Sequence, residues 1–99
     1  MEDITVEELR HRIGNGETLH IIDVREEWEY EEYNIGAQLI PLAQLMVQVD
    51  AITQYKDVEL ILHCRSGARS AQAKQFLSSK GFSKVRNLLG GMLEWQRTL

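Results

Sequence analysis

The chain has 99 residues, 43% apolar and 26% charged, which fits one soluble globular domain with a real core and leaves no room for two. A formal charge of -4 argues against a broad nucleic-acid surface, and no apolar run approaches the ~20 residues that cross a bilayer. One cysteine and three scattered histidines (His11, His20, His63) exclude an internal disulfide and a metal quartet, so neither metal nor cofactor is expected.

Met1-Glu2-Asp3-Ile4 lacks the basic and apolar regions of a secretory signal, so a cytoplasmic, reducing setting is expected. Thr5 stands three residues before Glu8, the spacing of a capping box, and Val6, Leu9 and Ile13 follow at helical spacing. Gly14-Asn15-Gly16 stops that helix. Leu19 to Val24 reads as a strand, with Asp23 and Arg25 at its end, able to pair with each other or with a neighbouring loop. The acidic stretch that follows (Glu26, Glu27, Glu29, Glu31, Glu32) reads as a solvated face, with a docking patch for a basic partner as the alternative.

Ala37 to Ile40 predicts a second strand, closed by Pro41, the only proline. From Leu42 to Tyr55 the apolar positions Leu42, Leu45, Met46, Val49 and Ile52 predict one core-facing helix. Leu60-Ile61-Leu62 then predicts a buried strand, a helix runs from about Arg69 to Lys80, and Gly81 sits where a helix ends. Val85 to Leu89 is a further strand, Gly90-Gly91 a sharp turn, and Met92 to Leu99 a last short helix carrying Trp95. Strands alternating with helices predict an α/β fold, a mainly parallel sheet covered on both faces.

The chemistry concentrates in Cys64-Arg65-Ser66-Gly67-Ala68-Arg69-Ser70, between the buried strand and the helix. The unpaired amides of a helix's first turn carry partial positive charge, so a cysteine there is favoured as thiolate. Gly67 permits a tight bend with amides turned inward, and Arg65 and Arg69 add full charges suited to an anionic species. Ser66 and Ser70 are hydrogen-bond donors to the sulfur or an anion, although Ser70 serves equally well as a helix cap. Side chains alternate along a strand, which turns His63 away from Cys64 and removes it as a catalytic base.

This loop resembles the active-site loop of rhodanese domains, the thiosulfate and persulfide sulfurtransferases. Asp23-Val24-Arg25-Glu26 resembles the family's first signature, and Ile35-Gly36-Ala37 through Ile40-Pro41-Leu42 its second. Gly81-Phe82 and Leu89-Gly90-Gly91-Met92 with Trp95 match the C-terminal pattern, so the likeness spans nearly the whole chain. It departs at Tyr33-Asn34-Ile35-Gly36-Ala37, where the family's usual histidine is Asn34, its proline is missing and the loop is one residue shorter.

The resemblance implies a single rhodanese-like domain over 1–99, a three-layer fold with a five-stranded, mainly parallel sheet. By it Cys64 carries a sulfane sulfur as a persulfide, the amides of Arg65, Ser66, Gly67, Ala68 and Arg69 cradle that sulfur, and both arginines attract the donor. Ser70, Asp23 and Arg25 are expected to support the loop. The implied partners are a small anionic sulfur donor (thiosulfate or a persulfide) and an external thiol or cyanide acceptor, a protein acceptor among the options, with no nucleic acid or membrane. Thiosulfate-preferring members often carry a loop lysine, which Ser66 does not supply.

Two alternatives stand beside this. One is a non-catalytic or partner-dedicated sulfur-relay module on the same fold. The other is a phosphatase or arsenate reductase, but only four residues separate Cys64 from Arg69, one fewer than the phosphatase signature requires. A loop that short fits sulfur better than a tetrahedral oxyanion.

Overall fold

In a computed structural model, which describes residues 1–99, the predicted strands lie side by side, all parallel. β1 (Ile21–Asp23), β2 (Gln38–Leu39), β3 (Leu60–His63) and β4 (Val85–Asn87) form one sheet in the order β2-β1-β3-β4. The register sets Ile22 beside Gln38 and Leu62, and Leu62 beside Asn87. The sheet therefore has four strands, not the five expected. The fifth place, beyond β4, is held by a single parallel bridge between Ile4 and Leu88, because Thr5 caps a helix one residue later and ends the extended run.

Helices cover both faces. On one face α3 (Leu42–Val47), a 3-10 helix (Val49–Tyr55) and α4 (Ala68–Ser79) enclose Ile22, Val24, Leu45, Leu60, Leu62, Ala73, Leu77 and Cys64. On the other, α1 (Val6–Gly14) and α5 (Gly91–Arg97) pack Val6, Leu9, Met92 and Trp95 against Ile4, Ile61 and Leu88. Period-two alternation along β3 produces this split, with Leu60 and Leu62 entering one core and Ile61 the other. No helix is long and apolar enough to cross a membrane.

Thr5 Oγ1 accepts the Glu8 amide at 3.1 Å, as the cap predicts, whereas Ile13 is turned out to solvent. The single helix expected over 42–55 is two pieces. The first ends at Val47 and the 3-10 segment carries a kink at Ile52 (φ -121, ψ 23). Val47, Val49, Asp50, Ile52 and Thr53 all rank low as helix formers, so packing decides the path there. The acidic stretch after β1 is itself a helix, α2 (Glu27–Glu32), lying near the loop that follows β3.

Candidate active site

β3 delivers Cys64 to the C-terminal edge of the sheet, where parallel α/β folds place their ligand crevices. Cys64 is 1% exposed, with its sulfur on the floor of the loop. Sγ accepts the Gly67 amide at 3.1 Å, the Ser70 amide at 3.4 Å and lies 3.3 Å from the Ser70 hydroxyl. Burial alone pushes the thiol's pKa up. The Ser70 hydroxyl and the amides of Ser70, Gly67 and Ser66 outweigh it and bring the pKa below its ordinary value. The thiolate is thus stabilised by hydrogen bonds aimed at it.

Two features hold the loop's amides inward. Gly67 caps α4 at φ +100, a left-handed conformation that a side chain would strain. From outside, the first turn of α5 takes the loop's carbonyls: Met92 N donates to Cys64 O and Leu93 N to Arg65 O, both at 2.9 Å. This close approach requires Gly91, where an added Cβ would lie 2.6 Å from Cys64 O and 2.7 Å from Arg65 O. With those carbonyls engaged by α5, the amides of Arg65, Ala68 and Arg69 donate to no backbone carbonyl.

Behind the loop stands Asn87, at the end of β4. Its Nδ2 donates to Gly67 O at 3.1 Å, and its Oδ1 accepts the Ser70 hydroxyl in a short bond. Ser70 has one proton to give and three acceptors in reach, namely Asn87 Oδ1, Cys64 Sγ and Gly67 O. A charged sulfur competes for that proton far better than a neutral thiol does. Ser70 is therefore both inside the helix and directed at the sulfur.

The two loop arginines differ. Arg65 is exposed and makes no ion pair. Arg69 is clasped by Glu29, with Nη1–Oε1 at 2.7 Å and Nη2–Oε2 at 2.9 Å. That bidentate pair, helped by the Glu26 amide, holds the Glu29 carboxyl down at about 2. Glu29 belongs to the stretch read as a solvated face, yet it is only 7% exposed. One turn of α2 faces the loop, and the carboxylate on that side meets a cation.

Asp23 and Arg25 choose each other. Both are buried, joined through Arg25 Nε and Nη2 at 2.7–3.0 Å, and Arg25 Nη2 also donates to Tyr33 O at 2.8 Å. The pair ties the end of β1 to the end of α2. His63 lies on the opposite side of β3 from Cys64, as alternation predicts. It is fully buried, with neither ring nitrogen hydrogen-bonded and Nε2 3.6 Å from Asp23 Oδ2. Burial lowers its pKa and outweighs the pull of Asp23, so the imidazole is neutral. Ser66 and Ala68 lie exposed on the rim. Further along, Asn34, at the family's usual histidine position, ties its loop together, accepting the Gly36 amide at 2.9 Å and donating to Tyr30 O at 3.0 Å.

No group of three His, Cys, Asp or Glu side chains is placed to hold a metal ion. The rhodanese-like domain family model matches residues 5–98. The chain belongs to that family. This rhodanese-like domain is 33% identical over 98 residues to a protein named sulfurtransferase from Allochromatium vinosum, covering 98% of this chain and 90% of the relative. It is 34% identical over 94 residues to YrkF of Bacillus subtilis (strain 168), covering 94% of this chain and spanning 50% of that longer protein. Among solved structures it is similar to the human single-domain sulfurtransferase TSTD1, with a TM-score of 0.82 at 27% identity over 98% of this chain and 96% of the other.

Sequence reasoning did not find Glu29, Asn87 or Gly91 as parts of the rhodanese-like loop's support. Gly90-Gly91 was legible as a turn but gave no sign that it abuts Cys64. Asn87 gave no such signal either, since the charged Arg86 precedes it in the same short strand.

Proposed function

We propose that this domain moves a sulfane sulfur through a persulfide on Cys64. The observation that carries the reading is the cysteine sulfur at the floor of a bend that turns its amides inward, with Gly67 N and both Ser70 donors within 3.4 Å. The Cys64 thiolate attacks the outer sulfur of the donor. The donor's S–S bond breaks, its electron pair leaving with sulfite when the donor is thiosulfate or with a thiolate when it is a persulfide. Cys64 then carries the new S–S bond and a terminal anionic sulfur, which the amides of residues 65 to 69 surround.

An acceptor thiolate or cyanide attacks the terminal sulfur and departs as a persulfide or thiocyanate, returning the Cys64 thiolate. No second cysteine exists to take the sulfur within the chain, so the acceptor comes from outside. Arg65 draws the anionic donor toward the loop. Arg69 is engaged by Glu29 and supplies mainly its amide, which favours persulfides of low charge over the thiosulfate dianion. Asp23, Arg25 and Ser70 hold the elements that frame the bend.

Intact mass spectrometry after incubation with thiosulfate or an alkyl persulfide tests this. The expected result is a gain of one sulfur atom that cyanide removes and that Cys64→Ser lacks. No gain with any donor would overturn the proposal, and loading by persulfides alone would mark a dedicated relay.

A further inference from the structure

Beside the Cys64 loop a cleft of about 320 Å³ opens between α2 and α5, with Trp28, Glu32, Tyr33, Arg65, Leu93 and Gln96 on its walls. Trp28 is 63% exposed and Leu93 46%, two large apolar side chains left in water along the one cleft that Arg65 enters. Exposed apolar surface rimmed by polar groups marks interaction sites, and tryptophan is a preferred anchor.

Two arginines and two glutamates line the cleft itself, Arg25 paired with Asp23 and Glu29 with Arg69, Arg65 and Glu32 unpaired, and an acidic excess lies along the rest of α2. Glu26, Glu27, Glu31 and Glu32 are all exposed and none forms an ion pair. Elsewhere Asp3, Glu8, Glu17, Glu59 and Glu94 each meet a lysine or arginine within 4.0 Å, and the unpaired Glu2, Glu7, Asp50 and Asp57 are dispersed along the chain. A helix that repels itself in this way gains from a cationic neighbour. Cys64 is nearly inaccessible and alone, so the sulfur that reacts with it must be presented from outside, past Arg65, in a defined orientation.

Resting on the sulfurtransferase reading, we propose that the α2–α5 cleft docks the polypeptide that exchanges sulfur with Cys64. Its chemistry is set by the cleft: a cysteine for Cys64, an apolar residue against Trp28 and Leu93, and flanking lysines or arginines for the carboxylates of α2. The cysteine's thiolate attacks the outer sulfur of the Cys64 persulfide, the S–S bond to Cys64 breaks, and the partner leaves as a persulfide.

The test separates loading from delivery. Cys64 is first loaded with sulfur and the adduct confirmed by mass. It is then discharged by cyanide or by three cysteine peptides sharing one leucine and flanked by Lys, Gln or Glu. The Lys peptide should discharge Cys64 about 10-fold faster than the Glu peptide at low salt, the gap shrinking at 0.5 M salt as charges are screened. Trp28→Ala, and separately the combined Glu27→Gln, Glu31→Gln and Glu32→Gln variant, should slow the Lys peptide about 5-fold and leave cyanide discharge within about twofold. Equal rates for the three peptides, or cyanide discharge falling in step, would overturn the docking proposal. A Cys64 that takes up no sulfur at the first step would sink the sulfurtransferase reading itself, and the docking with it.

Discussion

Two charged clusters flank the sheet, and they are built to different ends. Near the start of β3, Glu59 is shared by Arg12 at 2.7 and 2.8 Å and by Arg86 at 2.9 Å, with Glu8 and Glu17 closing the network. Every cation there is answered. At the other end of β3, Asp23 answers Arg25 and Glu29 answers Arg69, but Arg65 is left without a carboxylate. Ion pairs thus yield a brace at one end and, at the other, a frame around a single free cation beside a cysteine. Compensated charge holds the fold, and the uncompensated charge is what a substrate can use.

Gly91→Ala should break the active end most severely. A Cβ at 2.6 Å from Cys64 O forces α5 off the loop and lets the carbonyls turn inward, so sulfur loading should fall more than about 100-fold. Stopped-flow or mass-resolved loading rates with a persulfide donor check this, with circular dichroism confirming the fold. Arg65→Ala comes next, with loading slowed about 10-fold for thiosulfate and less for a neutral donor. Ser70→Ala removes a donor to the sulfur. The midpoint of the loading rate against pH should then move to higher pH, with a severalfold loss at neutral pH.

Glu59→Gln sharpens the contrast from the other side. It should cost about 1–3 kcal/mol in urea unfolding and leave the loading rate within about twofold. Both clusters share one pH signature. Glu29 and Glu59 are each held at about 2, below their ordinary 4.5, so their contribution is complete above pH 4.5 and is lost as pH falls toward 2. The melting temperature should drop across that window, and Glu59→Gln should flatten the drop.

The brace and the frame were not equally legible in the sequence. Cys64, Gly67 and Ser70 lie within seven consecutive residues, and the strand-loop-helix order around them is local information. The Thr5 cap and the alternation that buries Leu62 and rejects His63 are local too. Glu29 reaches Arg69 across 40 positions and Ser70 meets Asn87 across 17, and no periodicity encodes such meetings. The α2 run illustrates the difficulty: five glutamates look alike in sequence, and only the docking of one helix turn selects Glu29. The fifth strand was overcounted because a single extended residue, Ile4, is enough to complete the sheet edge.

Ile4 N donates to Asn87 O at 3.0 Å and Leu89 N to Ile4 O at 2.9 Å, while Asp3 Oδ1 accepts the Asn87 amide at 2.9 Å. The side chain of the same Asn87 grips Gly67 and Ser70. The first few residues are thus a lever on the loop, two links from the sulfur. Asp3→Ala should speed hydrogen exchange at the Asn87 and Gly67 amides while leaving β1 protected, and tension on the N-terminal segment would reach Cys64 through Asn87.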